Sequence, residues 1–564
     1  MQNRQTANVI PSQEKTGRHF IITVHGFRGA KGNFGQMEKV LIPHLRQLHP
    51  QTEYKFLEFS YPSGSDTDVF DFSYNHLSRF LNENIKNPTP NDSIIFIAHS
   101  QGGIVVDMWK AAAQYGLVYN EAQFGSLDKD KIYAKITDQV ITLGTPFWGS
   151  NQARLALNLN VLKSGYDTEL NGLVFNSELI LWMRHLAVSM SGKTYDDPTR
   201  YSNIAGIMPN DRNKIFYQRE LIRGGANQAL ADVANSLLKG IARRHSFSSE
   251  KINSRSSDRF ESDLTVVVPS TRACFYHVDK KVNCSDSGEI SAEEFEHISL
   301  FKPAQYILTE GVHTSLVSKR TRGIADVPAF CIDPEKCSHP TYRYLLTLIA
   351  DCEKEFCDPN AKINILDKMF EVNKIDTEYN KILTAGVDLQ GFSLDLNIQV
   401  PGDYDLPEKF YSDRPEGKLL TERDMRDKKL VREILKLDSS KLGPDIKDTL
   451  EIRIVRRREG MSGLTCWGKA TDCPNAKELR LHVTGWIKPK SLEAVRKYQT
   501  TLLEKYRDGL VLPFTVQLPE TKNHRFKKTT VFTKVRPGYS TFVKLNYLEA
   551  VNCSSGFPMP LMQQ

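Results

Sequence analysis

Ser100 is the residue whose setting speaks most directly of chemistry. It lies in Ile97-Ala98-His99-Ser100-Gln101-Gly102-Gly103, where SIIFIAHS (93–100) reads as a buried strand and GGIVVDMWKAAAQYG as the helix after it. A serine on a tight strand-to-helix turn has its hydroxyl presented at the C-terminal edge of a sheet, the arrangement of a nucleophile elbow. The turn is crowded and needs small residues two before and two after the serine. Ala98 and Gly102 supply them, with Ala98 where glycine is usual. The helix that starts behind Ser100 aims its N-terminal dipole at developing negative charge. A tetrahedral intermediate also needs backbone N–H donors for its oxyanion. One is expected from Gln101, next after the serine, and one from the loop that follows an early strand, HFIITVHGF (19–27), where Phe27 is the candidate.

An elbow serine is followed along the chain first by an Asp or Glu and then by a His. Three acids are open: Asp263 at the head of DLTVVVPS, Asp211 just past YSNIAGI (201–207), and Glu261. For the base there are His313, directly after AQYILTEGV (304–312), His297 in EHISLF, and His277. His99 adjoins the serine but leaves its strand in another direction, so it is read as a packing or hydrogen-bonding residue, and His25 as a brace for the Phe27 loop.

These residues need a scaffold that brings several strand ends together. Strands at 19–27, 54–61, 93–100, 138–145, 201–207, 263–268 and 304–312 alternate with helical patterns at 69–86, 102–116 and 339–356, which predicts a mostly parallel α/β sheet. Two insertions interrupt the rhythm, at about 151–200 and 212–260. The first carries an apolar stripe at helical spacing, Phe175, Leu179, Trp182, Met183, Leu186 and Met190, suited to a cap over an acyl groove. Phe147 and Trp148 are further acyl-pocket candidates. From about 386 the apolar period changes to two, as in Phe392, Leu394, Leu396, Ile398 and Val400. The expected organisation is a tail at 1–18, an α/β unit at 19–360, a helical linker at 361–385 and a basic β-sandwich-like unit at 386–564.

The pieces VHGF, AHSQGG and LGTPFWGS (143–150), with a late acid and histidine, resemble the α/β-hydrolase superfamily, in its lipase-like branch. The resemblance covers about residues 19–355 and not 386–564. It implies that Asp263 is the acid, since the family's acid loop has an Asp before a Val-x-Val-Pro-Ser-like stretch. It likewise implies that His313 is the base, following the last strand. The expected activity is a serine carboxylic-ester hydrolase of lipase or phospholipase type, acting through an acyl-enzyme with no cofactor. Alternatives are a deacylase or thioesterase for proteins or glycolipid anchors, a lipid acyltransferase, and, in another class, an inactive hydrolase-fold scaffold whose β-unit binds a membrane or partner.

Composition sets the outer bounds. The chain has 564 residues, is 40% hydrophobic and 25% charged, and so belongs with ordinary globular proteins rather than disordered or fibrous ones. No apolar run reaches the ~18 residues of a membrane span, and no signal peptide is visible, which points to the cytoplasm or signal-independent secretion. Residues 441–564 hold 22 Lys/Arg against 11 Asp/Glu. This basic excess, with Arg456, Arg457, Arg458, Lys527 and Lys528, suits peripheral contact with anionic membrane. No motif for nucleic acid accompanies it. Cys331/Cys337, Cys352/Cys357 and Cys466/Cys473 are spaced for local disulfides, and no Cys/His cluster has the spacing of a metal site.

Overall fold

The computed structural model describes residues 17–65, 67–115, 127–150, 153, 167–174, 177, 179–180, 183–184, 187–188, 199–207, 263, 265–266, 268–284, 288–299, 303–311, 313, 323–333, 336–337, 339, 341–350, 391–404, 435–437, 451–455, 476–486, 510–535 and 539–548. Its strands are Arg18–Val24 (β1), Glu53–Phe59 (β2), Ser93–His99 (β3), Thr137–Leu143 (β4), Arg200–Ile207 (β5), Cys274–Lys281 (β6), Glu289–Ile290 (β7), Glu296–Ser299 (β8) and Pro303–Glu310 (β9). In the C-terminal part follow Gly391–Pro401 (β10), Leu435–Leu437 (β11), Glu451–Val455 (β12), Ala476–Trp486 (β13), Leu510–Val516 (β14), Thr529–Val535 (β15) and Ser540–Asn546 (β16).

The first sheet runs β2-β1-β3-β4-β5-β9, parallel throughout. A parallel sheet is covered on both faces, which is why β3 is one continuous apolar run, every residue buried. The strand period of two splits its side chains between two cores. Phe20, Ile22, Val24, Phe96 and Ala98 join Val105, Met108 and Trp109 of the helix Gln101–Tyr115. Ile21, Ile95, Ile97, Ile141 and Leu143 meet Val40, Leu41 and Leu45 of the helix Met37–Leu48, with Leu345, Leu346 and Ile349 of the helix Tyr342–Ala350.

Two local expectations change. The amphipathic pattern at 69–86 folds as Val69–Asp71, a π-helical turn Phe72–Leu77 and Ser78–Asn84, started by the Asp68 side chain, which accepts the Phe70 N–H at 2.9 Å. The apolar run at 263–268 is not a strand. Asp263 Oδ1 accepts the N–H groups of Thr265 and Val266 at 2.9 and 2.7 Å, which folds the chain back into a turn, and a short helix Val268–Thr271 follows. An Asp side chain that satisfies nearby backbone donors competes with strand pairing.

Two further sheets, β12-β13-β10-β16-β6-β8 and β11-β14-β15-β7, join the C-terminal strands to β6, β7 and β8. They are not purely antiparallel: β16 lies parallel between β10 and β6. Strands β6 and β8, which precede β9 of the first sheet in the chain, thus belong to the second one. Leu394, Leu396 and Ile398 of β10 are buried, and so are Asp395 and Asn397 on its opposite face. Asp395 is there because Arg184, itself fully buried, forms an ion pair with it. The guanidinium also lies over the rings of Trp148 and Phe542, 5.0 and 5.2 Å from their centroids. Cys331 and Cys337 form a disulfide. The other two cysteine pairs lie outside the described residues, as do Arg456, Arg457 and Arg458. No helix among the described residues is long and apolar enough to cross a membrane.

Candidate active site

Ser100 sits between β3 and the helix Gln101–Tyr115 with φ 55°, in the left-handed region. That conformation costs a residue with a side chain about 1 kcal/mol and is held here by tertiary bonds. Its N–H donates to Leu143 O at 2.8 Å, and its carbonyl accepts the Gly103 N–H at 3.1 Å. A Cβ on Gly102 would stand 2.4 and 2.5 Å from the carbonyl oxygens of Val24 and His25, so nothing larger fits behind the turn. A Cβ on Gly26 would come within 2.6 Å of Ser100 Cβ and 3.2 Å of its Oγ. The loop that carries Phe27 therefore lies directly against the hydroxyl.

Asp263 and His313 come together although fifty residues separate them. His313 Nδ1 donates to Asp263 Oδ2 at 2.6 Å, while the His313 N–H donates to the Asp263 carbonyl at 2.9 Å. Both side chains are buried, and the second Asp263 oxygen is taken by the turn that closes its loop. Among the described residues, His313 Nε2 has no hydrogen-bond partner. The pair lies against the C-terminal end of β4: a Cβ on Gly144 would stand 2.7 Å from Asp263 Oδ2 and 3.0 Å from His313 Nδ1. The adjacent Leu143 carbonyl holds Ser100, so one strand end gathers serine, acid and histidine.

The neighbouring histidines serve as braces. His99 Nε2–H donates to the His313 carbonyl at 2.8 Å, its ring centroid 4.6 Å from that of His313. Burial, then the charge of His313, drive its pKa well below the usual value, so it stays neutral. His25 accepts the Tyr61 N–H on Nε2 at 3.3 Å, which leaves Nδ1–H to donate to Gly26 O at 2.9 Å. Its ring stacks on Tyr61 at 4.3 Å, and burial lowers its pKa too.

Phe27 is half-buried in the loop after β1, and Gln101 opens the helix behind Ser100 with its side chain fully buried. Of the acyl-pocket candidates, Phe147, Trp148, Leu179 and Met183 are buried in one core with Leu170, Leu173 and Val174. Trp148 also meets Phe275 edge-on at 4.8 Å. Trp182, Asp211 and Glu261 lie outside the described residues. His297 is exposed on β8, its ring beside Tyr276 and Tyr539. His277 is buried on β6, stacked on Phe542. The histidine bonded to Asp263 is His313.

Sequence reasoning passed over Tyr61, Ser63 and Glu169. Tyr61 Oη donates to the His25 carbonyl at 2.7 Å, and Ser63 Oγ to Glu169 Oε1 at 2.6 Å. No motif marks them, because their roles arise only where distant segments meet. No group of three or more His, Cys, Asp or Glu among the described residues could hold a metal ion.

Residues 14–166 match the family model described as "Putative serine esterase (DUF676)". No curated protein matches the chain. Among solved structures it is similar to phospholipase PlaB from Legionella pneumophila, at 13% identity over 97% of each chain with a TM-score of 0.48. It is also similar to the same phospholipase in complex with thio-NAD, at 13% identity over 94% of this chain and 93% of that one, with a TM-score of 0.49. The mature Bacillus licheniformis lipase BlEst2 is similar at 17% identity over 47% of this chain and 83% of that one, TM-score 0.27. A parallel sheet, a serine turn with φ 55° where its third strand ends and a serine-esterase family match across that turn together give the N-terminal part of this chain an α/β-hydrolase-like fold.

Proposed function

We propose that this protein is a serine carboxylic-ester hydrolase that cleaves acyl esters of lipids, of lipase or phospholipase type, with Ser100 as nucleophile, His313 as base and Asp263 as the acid. The observation that carries the reading is the buried Asp263–His313 pair with its outer ring nitrogen unpartnered, at the strand end that also holds Ser100. A base must have such a nitrogen available, and its other nitrogen must be fixed by an acceptor.

His313 Nε2 takes the proton of Ser100 as Oγ attacks the ester carbonyl carbon. The N–H groups of Phe27 and Gln101 receive the oxyanion. Asp263 stabilises the imidazolium, which returns its proton to the departing alcohol as the C–O bond breaks. Water, deprotonated by the same nitrogen, then attacks the acyl-enzyme and frees Ser100 with the fatty acid.

A lipid rather than a small polar acyl group is supported by the apolar segment between β4 and β5. Leu170, Leu173, Leu179 and Met183 pack with Phe147 and Trp148, which follow Gly144 of the site. The basic excess of 441–564 would favour anionic vesicles. The test is fatty-acid release by wild type and Ser100→Ala over p-nitrophenyl esters of increasing chain length and over phospholipid vesicles. Ser100-dependent release that favours long chains and vesicles is expected. Release from short soluble esters alone would reject the lipid assignment. Failure of a fluorophosphonate to label Ser100 would reject the hydrolase.

A further inference from the structure

Glu169 takes no part in the reaction as written, yet its side chain is fully buried. It lies on the short helix Asp167–Gly172 in the segment between β4 and β5. A carboxyl group is costly to bury unless donors satisfy it, and Glu169 has two close ones. Ser63 Oγ–H donates to Oε1 and the Gly64 N–H to Oε2, both at 2.6 Å. Burial raises the Glu169 pKa, opposed by these bonds and by the Gln101 amide alongside.

Ser63 has one proton to give. Glu169 at 2.6 Å takes it in preference to Gln101 Oε1 at 3.5 Å. The Ser63 oxygen is then left to accept, and it accepts the N–H of Arg28 at 2.8 Å. Arg28 directly follows Phe27 and is held at φ 55°, a conformation that needs outside support. The preceding peptide plane is fixed from the other side: Gly26 O accepts the Gly29 N–H and His25 Nδ1–H, both at 2.9 Å. That plane carries the Phe27 N–H.

We propose that Glu169 is a positioning residue for the oxyanion loop. Through Ser63 it sets the Phe27–Arg28 turn, and so ties the placement of the segment between β4 and β5 to the efficiency of acyl transfer. The inference rests on the hydrolase reading above. Losing an oxyanion donor outright costs about 10²–10³ in kcat, so a donor that is displaced rather than removed should cost about tenfold to a hundredfold.

The test uses the full chain as wild type, Glu169→Ala, Glu169→Gln, Ser63→Ala and the Glu169→Ala/Ser63→Ala double variant. Competent sites are counted by end-point fluorophosphonate labelling, and p-nitrophenyl ester turnover is expressed per labelled site. We expect kcat to fall about tenfold to a hundredfold in Glu169→Ala and Ser63→Ala with KM nearly unchanged. The double variant should be no worse than the worse single one, since both act along one chain of bonds. Glu169→Gln should recover part of the loss, because its amide keeps one acceptor. Unchanged kcat per labelled site, or a double variant whose loss is the product of the two, would overturn the proposal. Should Glu169→Ala not fold, Ser63→Ala decides alone, as it removes only a half-buried loop hydroxyl. A parallel Ser100→Ala control separates this outcome from failure of the hydrolase reading, which would appear as wild-type turnover that does not depend on Ser100.

Discussion

Asp263 grips His313 at two points, through the imidazole at 2.6 Å and through the backbone N–H at 2.9 Å. The side-chain bond chooses the tautomer and the backbone bond sets where the ring begins, so the two functions are separable by mutation.

Asp263→Asn isolates the first. Asn keeps an oxygen for the N–H groups of Thr265 and Val266, so the turn survives. Its amide N–H would then face His313 Nδ1 and reverse the tautomer. We expect kcat to fall by about 10⁴ with little change in thermal unfolding. A loss below tenfold would remove Asp263 from the mechanism.

Ser100 illustrates a trade between activity and stability. At φ 55° glycine is unstrained, whereas alanine keeps the Cβ that makes the turn costly. Both Ser100→Gly and Ser100→Ala should be inactive. Ser100→Gly should be the more stable of the two by about 1 kcal/mol, read from urea midpoints at equal slope. Equal midpoints would show that the turn stores no strain.

The elbow was legible in the sequence because everything that makes it is local: an apolar strand, a small residue on either side and a helix start lie within about ten positions. The Asp263 loop was harder. Val266 is as buried as a strand residue would be, and an apolar pattern alone cannot separate a strand from a turn closed by its own Asp side chain. β6 went unseen since one of its two strand neighbours, β16, is far along the chain, and the burial of His277 against Phe542 of that strand is packing that local patterning does not encode. Glu169 stayed hidden for the same reason: its partners are residues 63 and 64.

His277 yields a test in acid. Burial brings its pKa down to about 4, against the opposing pull of Asp279 and a bond to the Phe542 backbone, with Lys544 and Arg184 adding to the lowering. Unfolding restores an ordinary imidazole, so between about pH 6.5 and 4 the unfolded chain binds the extra proton, and stability falls as pH falls. His277→Phe, which suits the contacts with Phe275 and Phe542, removes that dependence. From pH 7 to pH 5 wild type should lose about 2 kcal/mol more than the variant in denaturant titrations. Parallel losses in the two proteins would place the acid sensitivity elsewhere.

Arg184 and Asp395 are both fully buried, so removing one takes from the other its ion-pair partner in the interior. Arg184→Ala or Asp395→Ala alone should cost about 3–5 kcal/mol. The double replacement Arg184→Met with Asp395→Leu should cost less than either, because apolar groups of similar size need no partner. A double variant less stable than both single ones would show that the charges themselves carry the contact.

β6 begins three residues after the helix that follows the Asp263 turn, and its neighbours in the second sheet are β8 close by and β16 at Ser540–Asn546. On the ribosome, the strand downstream of Asp263 therefore has one edge open until residues 540–546 have emerged. An open edge is an invitation to pair with other chains, so the nascent protein passes through a long interval of exposure in which a chaperone has something definite to cover. The segment that carries Asp263 leads into a sheet that only late translation can finish, so the surroundings of the Asp263–His313 pair are completed late in the protein's biogenesis.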